Sequence, residues 1–212
     1  MKRLSGWTLC TLVALLTACG SMSTMDRARA LAPGQVRAGI SGGAIGSAED
    51  RGAAFHPRGE LFLGAGVEPG TEIFGKFWYG GFTAGSKLEV ARSDSPNSGI
   101  DLAVAPAIGY HWADKLTVDF PILTGVLTGD GSQVVLALKP TYAAWLSPGG
   151  VPRPVSYVFL GGSLGYFWQL TQNLAVMPEV AWAGNVFAEE GFATSLGDGV
   201  GLQFSLGVFV MR

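Results

Sequence analysis

The chain has 212 residues, 14% of them charged against roughly 25% in an ordinary soluble domain, and a formal charge of −2. Mean hydropathy is +0.33 with 32 glycines, yet beyond Ser21 no apolar run approaches the ~18 residues of a spanning helix. This excludes a helical membrane protein and, for want of basic charge, a nucleic-acid binder.

The amino terminus sets the compartment. Lys2 and Arg3 precede a short apolar stretch, Trp7 to Leu16, the layout of a secretory signal over residues 1–18. Its end, Leu16-Thr17-Ala18-Cys19-Gly20, resembles a bacterial lipobox. That resemblance implies cleavage before Cys19 and lipid on its thiol, with Gly20 compatible with outer-membrane sorting. Ordinary signal cleavage nearby, with Cys19 incidental, is the alternative. Cys10 leaves with the signal, so the mature chain has no free thiol and no disulfide. Losing Lys2 and Arg3 leaves 12 basic residues against 16 acidic, a charge of −4. Residues 19–34 read as a lipidated tether, because one helical turn over Asp26 to Leu31 is not stable alone.

From Gln35 onward a period of two takes over, the signature of strands with one apolar face. The first strand is Gln35 to Ile45, followed by a polar loop, Gly46 to Pro57. The second, Arg58 to Val67, sets Leu61, Leu63 and Val67 against Glu60, Phe62 and Gly64, and ends at the turn Glu68-Pro69-Gly70. The third, Thr71 to Tyr79, opposes Ile73, Phe77 and Tyr79 to Glu72, Phe74, Lys76 and Trp78. Gly80-Gly81 leads to the fourth, Phe82 to Arg92, with Lys87 and Glu89 on one face. After the loop Ser93 to Gly99 comes the fifth, Ile100 to Trp112; the sixth runs from Lys115 to about Gly125. The loop Thr128 to Gly131 precedes the seventh, Gln133 to Leu146, and the loop Ser147 to Pro154 precedes the eighth, Ser156 to Leu170. Thr171-Gln172 turns into the ninth, Asn173 to Val186, and the loop Phe187 to Asp198 reaches the tenth, Val200 to Val210.

Ten strands is an even number, as in bacterial single-chain barrels. Eight or twelve follow if a hairpin near Tyr79 to Phe82 or Ala113 divides differently. Prolines 106, 121, 140 and 178 predict bulges or strand ends, since proline has no N–H for the ladder. The tenth strand should close against the first. The fold expected is all-β: a closed antiparallel up-and-down transmembrane β-barrel over residues 35–212.

Period two leaves open which face is inside, and a soluble barrel would turn the apolar face inward. The second face, however, is mostly Gly, Ala, Ser and Thr, a poor solvent surface but good filling for a narrow lumen. Tyr110, Trp112, Tyr166 and Trp168 sit near strand ends on the apolar face, where interfacial girdles lie. The lumen would then hold Arg37, Arg58, Lys76, Lys87 and Lys139 against Glu60, Glu72, Glu89, Asp101, Asp119 and Glu179. A nearly balanced set can pair across the lumen. Lys139 and Glu179 each adjoin a mid-strand proline and are expected at similar depth, in contact.

Catalytic signals are thin. His111 and Asp119 fall on the lumen face of adjacent strands, the residue types of a rim hydrolase or acyltransferase; a structural histidine is the competing reading. His56 reads as solvated in a loop. No metal-ligand spacing exists, and no cofactor is expected. Gly64-Ala65-Gly66 and Gly161-Gly162 lack dinucleotide-loop spacing and give close packing instead.

The pattern over residues 35–212 resembles small bacterial outer-membrane β-barrel proteins. Tyr166 to Trp182 is similar to their strand–tight turn–strand units, with Met177-Pro178-Glu179 in the second strand. Ser205, Gly207 and Val210 partly fit their terminal assembly signal, and Arg212 replaces the usual terminal aromatic. The resemblance implies outer-membrane localisation, lipid-anchored with a periplasmic tether, and outer-membrane lipid as partner. The roles open are structural or interaction with envelope proteins, a narrow passive channel for small solutes, or the rim enzyme. An even strand count puts both barrel termini in the periplasm, with Cys19 in the inner leaflet.

Overall fold

The computed structural model describes residues 22–49, 52–95, 97–112, 114–146, 156–188 and 201–212. The signal stretch, Cys19, the loop Ser147 to Pro154, most of the loop before the last strand, and Val200 lie outside the described residues.

Twelve strand segments make one sheet: β1 (Val36–Glu49), β2 (Gly52–Glu68), β3 (Thr71–Trp78), β4 (Gly81–Ala91), β5 (Gly99–Val104), β6 (Ala107–His111), β7 (Lys115–Asp119), β8 (Ile122–Gly129), β9 (Ser132–Trp145), β10 (Ser156–Thr171), β11 (Leu174–Ala188) and β12 (Gly201–Met211). Every pairing is antiparallel. β4 runs against both β5 and β6, and β9 against both β7 and β8, so these four segments form two wall strands and the barrel has ten. Pro106 and Pro121 make the two breaks. Each lacks an N–H, but their carbonyls still accept, from Ser86 at 3.1 Å and from Ala105 at 2.8 Å. Pro140 and Pro178 stay inside β9 and β11, opposite Leu160 and Leu206.

The last strand closes on the first, from Arg37 opposite Met211 to Ser47 opposite Gly201. Among the described strands closure leaves no edge unpaired, which a barrel wall in lipid requires. Asp130 and Gly131, with φ of 50° and 78°, form the left-handed pair that a two-residue hairpin needs. Of the stretch 46–57, expected as a loop, residues 46–49 extend β1 and 52–57 extend β2, and His56 pairs with Ile45 in their ladder.

The faces divide as the alternation predicts. In β12, Leu202, Phe204, Leu206, Val208 and Val210 point outward and exposed, while Gln203, Ser205, Phe209 and Met211 are buried. Ile73, Phe77, Leu136, Leu164, Trp112 and Trp168 continue the exposed apolar wall. Burying a surface of this kind in lipid is favourable by about 25 cal/mol per Å², and in water it would be an aggregation site. Phe209 and Met211, larger than their lumen-face neighbours, pack with Phe62, Phe167, Val135 and Met177 into an apolar lower lumen.

Residues 22–34 correct the expectation of a tether outside the barrel. Met22, Met25, Ala28, Ala30 and Leu31 are buried within the lumen, at 0–4% exposure.

Candidate functional site: the occupied lumen

The amino-terminal segment enters beside β1 and β2. Gly34 N–H donates to the Gly66 carbonyl at 2.9 Å, and Ala32 N–H donates to the Gln35 side chain at 3.0 Å. A Cβ on Gly66 would stand 2.1 Å from the Ala32 carbonyl oxygen, so only glycine lets the segment pass. At Gly201 a Cβ would stand 2.1 Å from the Met22 methyl, the mobile end of a side chain that can shift, so the constraint there is weaker.

Inside, the segment joins no ladder, and a buried backbone must still place its N–H and C=O groups. Lumen side chains take them. Glu179 accepts Thr24 N–H at 2.8 Å through one oxygen and Met25 N–H at 2.6 Å through the other. Gln133 accepts Ala28 N–H, Glu89 accepts Ala30 N–H at 2.6 Å, Glu72 accepts Leu31 N–H, and Gln203 accepts Met22 N–H. Lys76 donates to the Ser23 carbonyl, and Lys87 to that of Arg27 at 3.1 Å. Carboxylate acceptors on main-chain amides are the stronger class of such bonds.

Charge pairing locks the same segment. Asp26 lies 2.7 Å from Arg37 and 2.9 Å from Lys87; Glu72 lies 2.7 Å from Arg37 and 2.8 Å from Lys87. Two acids and two bases thus alternate in a closed, buried ring, one acid supplied by the segment and the rest by β1, β3 and β4. Arg29 makes a two-pronged pair with Asp101, at 3.0 Å on both oxygens, and Gln133 donates to the same carboxylate at 2.6 Å. Met25 fills the apolar lower cluster, and Ala28 packs against Ala103, Leu123 and Ala137.

Among the residues expected in a lumen charge network, Glu72, Lys76, Lys87, Glu89 and Glu179 therefore bind the segment. Lys76 also lies 3.7 Å from Glu60. The expected Lys139–Glu179 contact is not the pairing adopted: Glu179 gives both oxygens to Thr24 and Met25, and Lys139 lies 3.8 Å from Asp119. Asp119 in turn accepts from Thr141 at 2.6 Å. His111 is buried edge-on against Trp78, ring centroids 5.2 Å apart. In the β6–β7 register His111 faces Lys115 and Asp119 faces Ala107, four positions away, or ~13 Å along the strand. His111 and Asp119 are therefore not brought together as a pair. A void beside Thr24, Phe62, Lys76, Asp119 and Lys139 measures about 50 Å³, room for a few waters.

Asp26, Arg29, Gln133, Gln203 and Ser163, whose hydroxyl lies 2.8 Å from that of Thr24, complete the site, and strand periodicity did not single them out. One signal was present: a segment holding Met22, Met25, Ala28, Ala30 and Leu31 is too apolar for a solvated tether. Glu179→Ala should leave two amides of the segment unpaired, at about 1–3 kcal/mol each. Hydrogen exchange should then rise at Thr24 and Met25 while the β11–β12 ladder stays protected.

No protein-family model matches the chain, and no curated protein does. Among solved structures it is similar to Neisserial surface protein A, at 11% identity and a TM-score of 0.36, over 84% of this chain and 98% of that one. It is also similar to Ail, the attachment invasion locus protein of Yersinia pestis, at 11% identity and a TM-score of 0.34, over 85% and 99% of the two chains. The outer membrane protein OprG from Pseudomonas aeruginosa gives 10% identity and a TM-score of 0.38, over 88% and 99%.

Proposed function

We propose that the chain is a bacterial outer-membrane β-barrel lipoprotein with a structural or interaction role, sealed against solutes by its own amino-terminal segment. The observation that carries this reading is the occupied lumen, in which residues 22–34 cross the interior and lumen side chains bond their backbone. Four features support the membrane and the anchor: the closed wall, the exposed apolar belt, the signal pattern over residues 1–18, and the lipobox-like stretch ending at Cys19. Outer-membrane lipid is the partner of the wall, and envelope proteins are the partners open to the loops.

Three measurements test the reading. The full-length protein should sediment with outer-membrane vesicles, migrate faster on gels before heating than after, and give no conductance steps in planar bilayers. Absence from membranes would overturn the barrel reading. Steady conductance would favour the narrow passive channel, which requires residues 22–34 to leave the lumen.

A further inference from the structure

The segment in the lumen has a direction. At the barrel end shared by β1's start and β12's finish, Gly34 bonds Gly66, beside Val36. Leu31 meets Glu72 and Ala28 meets Gln133, the second residues of β3 and β9, still at that lower end. Thr24 and Met25 meet Glu179, which faces Ser205, which faces Gly43 of β1. Met22 meets Gln203, which faces Ile45. Between residues 34 and 22 the chain thus climbs from the level of Val36 to that of Ile45.

Nine positions of wall are ~30 Å along a strand, and ~23 Å along the axis at a tilt of ~40°. That approaches the ~25 Å apolar band of such barrels. The lower end carries the turns 69–70, 130–131 and 172–173 and the connection 92–98; the upper end carries the short connections 50–51, 79–80 and 112–114 and the two longest connections between strands, 146–155 and 189–200. In bacterial barrels short turns face the periplasm and long loops the outside.

We propose that the amino-terminal segment is threaded outward through its own barrel, so that everything before Met22 emerges at the loop-bearing mouth. Cys19 is three residues from Met22 and so within ~10 Å of it. Regaining the inner leaflet would take ~23 Å, back through a lumen the chain already fills. Inner-leaflet attachment and the lumen segment are therefore exclusive, and the lipid belongs at the outer mouth. The placement of the lipid rests on the lipoprotein reading above; the threading does not.

The test uses the full-length chain in a Gram-negative host, with a membrane-impermeant maleimide applied to intact and permeabilised cells. Ser21→Cys should be labelled on intact cells as strongly as Gly80→Cys in an upper turn. Gln172→Cys, in a lower turn, should react only after permeabilisation. Labelling of Ser21→Cys that follows Gln172→Cys, or fails in both conditions, overturns the threading. So does a reversed pattern for the two reference positions. Labelling of the wild-type chain measures Cys19 itself, which is silent when its thiol carries lipid, and is subtracted. Incorporation of an alkyne fatty acid, compared with Cys19→Ala, reads the lipid separately. Surface labelling of Ser21→Cys without Cys19-dependent incorporation overturns the lipid placement and leaves the threading standing.

Discussion

Replacing residues 22–31 with a glycine–serine linker of equal length should turn a silent barrel into a conducting one. Without Asp26, Arg29 and the apolar side chains, only main-chain bonds would hold the linker in the lumen, and its departure takes partners from Arg37, Lys76, Lys87, Glu72, Glu89, Asp101 and Glu179 together. Charges left short of partners in a dry interior are costly, and admitting water is the relief available. Planar-bilayer recording should show resolved steps from the linker variant and a flat trace from the parent. If both stay flat, side chains of the wall alone close the lumen.

Arg37→Ala should be the most damaging single substitution, at about 3–5 kcal/mol, because it breaks a buried ring and leaves one lysine between two carboxylates. Arg37 and Glu72 are buried, so solvent does not screen them as it would an exposed pair worth under about 1 kcal/mol. The loss should appear as a lower temperature for the shift from fast to slow gel migration. Arg37→Lys should recover part of it, since an ammonium lacks the guanidinium fork that reaches Asp26 and Glu72 at once. An unchanged transition in Arg37→Ala would mean the ring adds nothing to stability.

The wall was legible in the sequence because each strand needs only a period of two, and β12 displays it over its whole length. Closure of β12 on β1 followed from the same pattern, and the breaks at Pro106 and Pro121 from a missing donor. Depth was not legible. Alternation assigns Lys139 and Glu179 to one face, but not their height or the direction each side chain takes across the lumen. The segment 22–34 was missed for a related reason. It has neither helical nor strand periodicity, since side chains such as Glu179, Glu89 and Gln133 stand in for the ladder that would have imposed one. Its acid, Asp26, and its arginine, Arg29, are matched to wall residues far away in the chain, and no local spacing encodes that.

A disulfide across the lumen tests most directly that the amino-terminal segment lies inside the barrel. The hydroxyls of Thr24 and Ser163 are 2.8 Å apart, so the pair Thr24→Cys and Ser163→Cys, made with Cys19→Ala, brings two thiols within bonding reach. Mild oxidation of membranes, then cleavage at a protease site engineered into the upper loop 146–155, should leave two fragments joined until reductant is added. Fragments that separate without reductant, while a cysteine pair set in the β1–β12 ladder cross-links normally, would contradict a segment held in the lumen.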